Sequence, residues 1–303
     1  MDNKIQQQPI EIVLDSVLGS TQNNIDGHKI FKLNNSILAR KDEKILFYLK
    51  KAFIPFSFYC LSEKNNKLDV IETQTDGTTN TYSITVEDGN SDIYELILEI
   101  KNLLESNSTF NFKYDITYNT SNNKISIKLL SGDSAQKSTL LFNSGNNTNT
   151  SINNILGFLK TSDKEILLNN TITSDTQIDL ADGLDSIHIK CNLTGTNIRS
   201  VDNESNELLI VPVDKSPYSI IYFDDIKPFK HLLNVNVINQ IEIMLQDSKK
   251  NIINMNHIPY TLILECEFIK NTREVDIEVA ETFNYKNNLE KLNNLQNIIS
   301  NKF

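Results

Sequence analysis

The stretch KAFIPFSFYCLSEKNNKLDV, Lys51 to Val70, sets a proline into what otherwise reads as the middle of a sheet. Proline has no N–H to give the ladder, so within sheets it is confined to edges, bulges and strand ends. Ile54-Pro55-Phe56-Ser57-Phe58-Tyr59 is therefore a strand kink or a bend from strand to strand, with aromatics on either side of it. The chain then leaves through the turn Asn65-Asn66 into a second alternating run. Val211-Pro212 poses the same problem later and predicts a second interrupted strand at an edge or bend.

Outward from this stretch, strand patterning dominates. Period-two alternation of β-branched and aromatic residues marks half-buried strands. It recurs at 10–14, 29–33, 44–49, 68–71, 82–86, 110–118, 124–130, 186–193, 207–213, 218–223, 235–246 and 260–269. So many short strands with polar turns between them predict a β-sandwich or barrel. With only 9 Gly and 6 Pro, the turns fall to Asn pairs such as Asn65-Asn66, Asn122-Asn123 and Asn146-Asn147. Asn tolerates the left-handed conformation and can bond its own backbone. Tyr118 to Lys124 thus reads as a hairpin, and the polar stretch Ser131 to Ser151 as a long exposed loop.

Two helices interrupt the strands. In 92–105, Ile93, Leu96, Ile97, Ile100, Leu103 and Leu104 recur at three and four residues, which makes one apolar face, and Asp92 with Glu95 predicts a capping box. The second helix is expected near 286–299, on Leu289, Leu292, Leu295 and Ile299.

Composition narrows the function. The chain of 303 residues is 39% hydrophobic and carries 14 Phe and 10 Tyr, enough for a sizeable core in one large β domain or two smaller ones. No apolar run approaches the roughly 20 residues of a membrane helix, and residues 1–9 lack the apolar core of a secretory signal. A soluble protein, used without export, is expected. Net charge is −10, and no Lys/Arg run compensates locally, so the average field repels a phosphate backbone and nucleic-acid binding is not expected. Cys60, Cys191 and Cys266 each lie in an alternating run and predict buried free thiols in a reducing compartment.

Catalytic chemistry finds no foothold. His28, His188, His231 and His257 are scattered, and His188-Ile189-Lys190 sets a cation where a jelly-roll metal enzyme needs its second histidine. Asp224-Asp225 is the best carboxylate pair, but before Pro228 it reads as a turn cap. No nucleophile elbow, phosphate-binding glycine loop or calcium loop occurs. No enzyme is expected, and no catalytic, cofactor-binding or metal residue and no cofactor is assigned.

Three stretches together carry a resemblance. They are Ile54 to Tyr59 with its Asn65-Asn66 exit; Ser83-Ile84-Thr85-Val86-Glu87-Asp88-Gly89-Asn90 with the helix after it; and 241–247, Ile252 to Asn256 and Tyr260 to Leu264. Over about 10–105 and 235–269 the chain resembles the penton, or minor capsid, proteins of virophages and Polinton-like viruses. It departs from that family's pattern at Phe56, Ser91 and Tyr260, where Asn, an aromatic and Trp are frequent.

The resemblance implies a single jelly roll, eight core strands plus extra strands, with one inserted amphipathic helix and a C-terminal helix. It divides the chain into an N-terminal arm at 1–9, a capsid domain at 10–270 and a charged segment with a helix at 271–303. It implies a homopentamer at icosahedral vertices of a virion, assembled inside the infected host cell. Its partners would be trimers of the double-jelly-roll major capsid protein. A trimeric jelly-roll attachment protein, or carbohydrate-binding spike, is the alternative. It calls for aromatic platforms beside acidic or amide groups in an exposed loop, and the Asn-rich loop around 143–151 has no aromatic residue.

Overall fold

A computed structural model describes residues 7–194 and 206–270. The chain opens with β1 (Ile10–Asp15), β2 (Ser20–Gln22), β3 (Ile25–Leu38) and β4 (Glu43–Pro55). Next come β5 (Lys67–Gln74), β6 (Thr79–Thr85), helix α1 (Ile93–Asn107), β7 (Lys113–Asn119), β8 (Lys124–Ser131), β9 (Ala135–Leu140), β10 (Lys164–Leu167) and β11 (Thr171–Thr173). It closes with β12 (Ser186–Cys191), β13 (Glu207–Pro212), β14 (Ile220–Asp224), β15 (His231–Leu232), β16 (Val237–Gln246) and β17 (Thr261–Lys270). The fold is all-β, with one long helix, and every pair of these strands is antiparallel.

The strands form two lobes. In the first, one sheet runs β1-β17-β4-β14, with β15 also on β4, and the other runs β13-β12-β16-β3-β2. Alternation decides what lies between them. Phe47, Ile54 and Leu264 of one sheet and Ile189, Ile241 and Leu245 of the other are buried in a single cluster. In the second lobe, sheets β10-β9-β5-β6 and β11-β8-β7 enclose another core with α1, built around Leu68, Leu96, Phe112 and Leu140. The residues 10–270, expected to make one domain, thus hold two hydrophobic cores. The second is contributed by the chain between β4 and β12, as an insertion in a single connection of the sandwich.

Pro55 is the last residue of β4, opposite Ile220 of β14. On the other side of β4, β17 reaches only to Thr261, opposite Phe53. The N–H of Phe56 bonds the Ser219 carbonyl at 2.8 Å, so the Pro55 nitrogen faces the side where β4 has no neighbour among the described residues. The proline therefore costs no ladder bond and ends the strand where its partner ends. Beyond it the chain turns inward. Phe56 and Phe58 stack at 4.4 Å and are buried, whereas Tyr59 is 39% exposed. Pro212 likewise ends β13, the edge of the second sheet.

Asn supplies much of the turn geometry. Among the described residues eleven non-glycine residues have positive φ, and six are Asn: Asn23, Asn24, Asn111, Asn123, Asn169 and Asn256. Asn23-Asn24, both left-handed, is the two-residue loop between Gln22 and Ile25, where matching the strand twist demands that geometry. Asn123 closes the β7–β8 hairpin expected over 118–124. Asn65 turns the chain with its side chain instead, accepting from the Ser62 N–H at 2.8 Å and donating to the Cys60 carbonyl at 2.9 Å. Helix α1 begins as expected, with Asp92 and Glu95 capping one another's backbone, and buries Ile93, Leu96, Ile100 and Leu104.

The stretch 131–151 is not the exposed loop its composition suggests. It holds β9, paired on both sides by β10 and β5, and it buries Leu140 and Phe142. Two carboxylates pin the segment from Asn143 to Asn147. Asp163 accepts the N–H groups of Asn143 and Ser144 at 2.8 and 3.1 Å. Asp69 accepts the Asn147 N–H at 2.7 Å, its side-chain amide at 2.6 Å and the Ser83 hydroxyl at 2.5 Å. Polar residues here face a framework rather than solvent, a distinction that period alone does not carry. The helix expected near 286–299, and most of the arm expected over 1–9, lie outside the described residues.

Candidate subunit interface

The centre of the first sheet's outer face, around β4 and β17, is polar and paired. Lys50 is the extra residue of a bulge, since Ile263 sits opposite Lys51 and Leu264 opposite Leu49. The bulge re-aims its side chain across the sheet, and Lys50 Nζ lies 2.8 Å from both Glu11 and Glu265. Lys230 bonds Glu267 at 2.6 Å and sits 5.1 Å from the centre of the Tyr48 ring, whose hydroxyl donates to the same carboxylate at 2.9 Å. Burial pushes the Glu265 carboxyl up, but bonds from Lys50 and Tyr48 outweigh it and hold the group below the usual carboxylate range.

At one edge of this sheet lies β14, paired among the described residues only with β4. The Tyr222 hydroxyl donates to Asp224 at 2.6 Å and Lys51 meets the same carboxylate at 3.0 Å; these bonds lower its pKa and fasten the strand to β4. Around this fastening the surface is apolar. Tyr218 is 83% and Ile226 95% exposed, with Ile220, Tyr222 and Phe229 also exposed between and beyond them. Phe53 lies against the Tyr222 ring at 5.0 Å. His231 of β15 is buried behind this edge, with Nε2 3.0 Å from the Leu208 carbonyl of β13, so the free edges of both sheets meet on one flank. Ile210 of β13 extends the apolar surface.

The opposite flank carries β1 and β2, joined by residues 16–19. Among the described residues β1 pairs only with β17. Val13, Val17 and Leu18 are all exposed here, Leu18 to 82%. A sandwich of this order therefore presents two unlike apolar edges, one on each side. Exposed apolar groups gathered in this way mark interaction surfaces rather than ordinary scatter.

The chemical candidates from the sequence stay apart. His28 pairs with Glu242 at 2.6 Å, His188 with Glu207 at 3.5 Å, and His257 with Asp26 at 2.9 Å. Asp225 accepts the Lys227 N–H at 2.8 Å, the turn cap expected of it, while Asp224 holds the edge strand. Among the described residues no group of three His, Cys, Asp or Glu could hold a metal ion, and no helix is long and apolar enough to cross a membrane. Cys191 and Cys266 are free and buried, and burial pushes both thiols up to about 12; Cys60 is free but only half-buried, lining a cleft. Sequence patterning missed the flanks because strand alternation does not separate an edge from a centre. The usable signal was Ile226 and Phe229, large apolar residues in a short polar loop around Pro228.

No family model matches the chain, and no curated protein matches it. Among solved structures it is similar to the selenomethionine-labelled mavirus penton protein, at 12% identity and a TM-score of 0.47, over 87% of this chain and 100% of that one. Likeness at this level leaves the role of the chain to its own residues.

Proposed function

We propose that the chain is a structural capsid protein whose copies close into a ring of five at an icosahedral vertex. The observation that carries this is the pair of unlike apolar edges on opposite flanks of one sandwich. Heterologous contacts, one flank meeting a different flank of the next copy, generate rings when the rotation closes. Two further features support the reading. Counted along the chain, the eight strands β1, β3, β4, β12, β13, β14, β16 and β17 form sheets in the order 1-8-3-6 and 2-7-4-5, the wrapped Greek-key order of a jelly roll. The motifs around Pro55, Gly89-Asn90 and Tyr260 resemble those of virophage pentons. In this reading residues 10–270 are one capsid unit with its second lobe set in a loop, 1–9 an arm and 271–303 a C-terminal segment. The surrounding partners are major capsid protein trimers, and the place of action is the virion.

Flank variants test the ring. Leu18→Asp removes one edge and Ile220→Asp the other, so each variant alone is expected to be monomeric. Mixed in equal amounts they retain one intact contact per pair and form discrete dimers. Oligomers surviving in either variant, or a mixture that stays monomeric, would contradict heterologous closure through these flanks.

A further inference from the structure

Between the two lobes lies a cleft of about 840 Å³, within the roughly 300–1,000 Å³ of small-ligand sites. Its walls come from Phe58 to Asn65 on the exit from β4, 149–154 in the second lobe, Asp182 and Leu184 before β12, and 247–256 between β16 and β17, with Asp88 and Lys160 beside them. The walls are braced to one another. Asn65 donates to Asp182 at 2.7 Å, and Lys249 pairs with the same carboxylate. Within the segment 247–256, Asp247 holds Asn251 by its N–H at 2.7 Å and its amide at 2.9 Å.

The lining of this space is distinctive. Tyr59 presents a ring that no other aromatic covers, and its hydroxyl, the Glu63 carboxylate, the Lys64 ammonium and the Asn149 amide bond nothing in the described fold. Asn154, Asn254 and Asn256 line the same space, with the Asn256 amide donating to the Ser57 carbonyl at 2.6 Å and Asn154 Oδ1 accepting from Asn153 at 2.9 Å. Four carboxylates stand against three ammonium groups, so the lining favours neither an anion nor a cation. A polyphosphate or a nucleic-acid strand would need a basic excess, and a lipid-like ligand would need an apolar lining. A ring face beside paired donors and acceptors, with charge near balance, suits a ligand that is apolar on one face and rich in neighbouring hydroxyls at its rim. We propose that this cleft binds a neutral oligosaccharide, with the sugar face on Tyr59 and its hydroxyls on Asn149, Glu63 and Lys64.

The site is complete in one copy of the chain, so it stands or falls independently of ring formation. Saturation-transfer NMR on the full chain, with maltotriose, mannotriose and chitotriose each at millimolar concentration, tests it. Transfer to at least one trisaccharide is expected, with binding weakened about tenfold, a loss of about 1.4 kcal/mol, in Tyr59→Ala and in Asn149→Ala. Leu98→Ala, on the exposed face of α1, is expected to bind as the parent does. Circular dichroism of each variant controls for folding. No transfer to any of the three sugars, or transfer that survives in both cleft variants, would overturn the assignment.

Discussion

Asp69 and Asp163 show how single carboxylates replace apolar packing in an Asn-rich chain. Burial pushes both carboxyl groups up, and hydrogen bonds outweigh it: from Ser83 and Asn147 to Asp69, from Ser144 and Asn143 to Asp163. Both end below the usual carboxylate range, because those donors favour the ionised form. A depressed folded pKa stabilises above the unfolded value, about 3.9 for aspartate, and that stability disappears as pH falls through the lower folded value. Protection of the Asn143–Asn147 amides from hydrogen exchange, corrected for intrinsic rate, is therefore expected to hold level down to about pH 4 and to fall below it. An unprotected loop at neutral pH would show that these carboxylates pin nothing. This pinning was hidden in the sequence, since Asp69 lies 78 residues from the Asn147 it holds.

At the level of elements, local signals were legible and spatial ones were not. Alternation located the longer strands but not β2, β9, β10, β11 or β15, and the Asp92/Glu95 spacing located the start of α1, because both signals depend on residues a few positions apart. The capping box gives a direct prediction: Asp92→Ala should cost about 0.5–2 kcal/mol in denaturant unfolding of the lobe that holds α1. An unchanged midpoint would mean that packing of Leu96, Ile100 and Leu104 alone sets the helix. β9 escaped the sequence because AQKSTL has four polar residues in a row, Gln136 to Thr139, with the buried inward position Ser138 among them, so no apolar alternation marks it; its partners β5 and β10 are far away along the chain. The proline bend was readable as an end or an edge, but the open side of β4 that admits it is set by β17, more than 200 residues later.

For the whole molecule, the division into two cores was the least legible feature. Residues 61–180 carry the same alternation as the sandwich on either side, so nothing in their period reveals that they pack among themselves. The division has consequences for function. It places the polar cleft at the junction and, among the described residues, leaves both edges of the first sheet unpaired, at β14 and at β1. An apolar edge strand left open invites aggregation unless another surface covers it. In the proposed ring that surface is the unlike flank of the next copy.

Ring closure is read out by the solution mass of the full chain, measured by light scattering over a range of concentrations. The monomer is 34.6 kDa, and closure through the two flanks gives a discrete species of five times that mass. A stable trimer, or a chain that stays monomeric at every concentration, would contradict it.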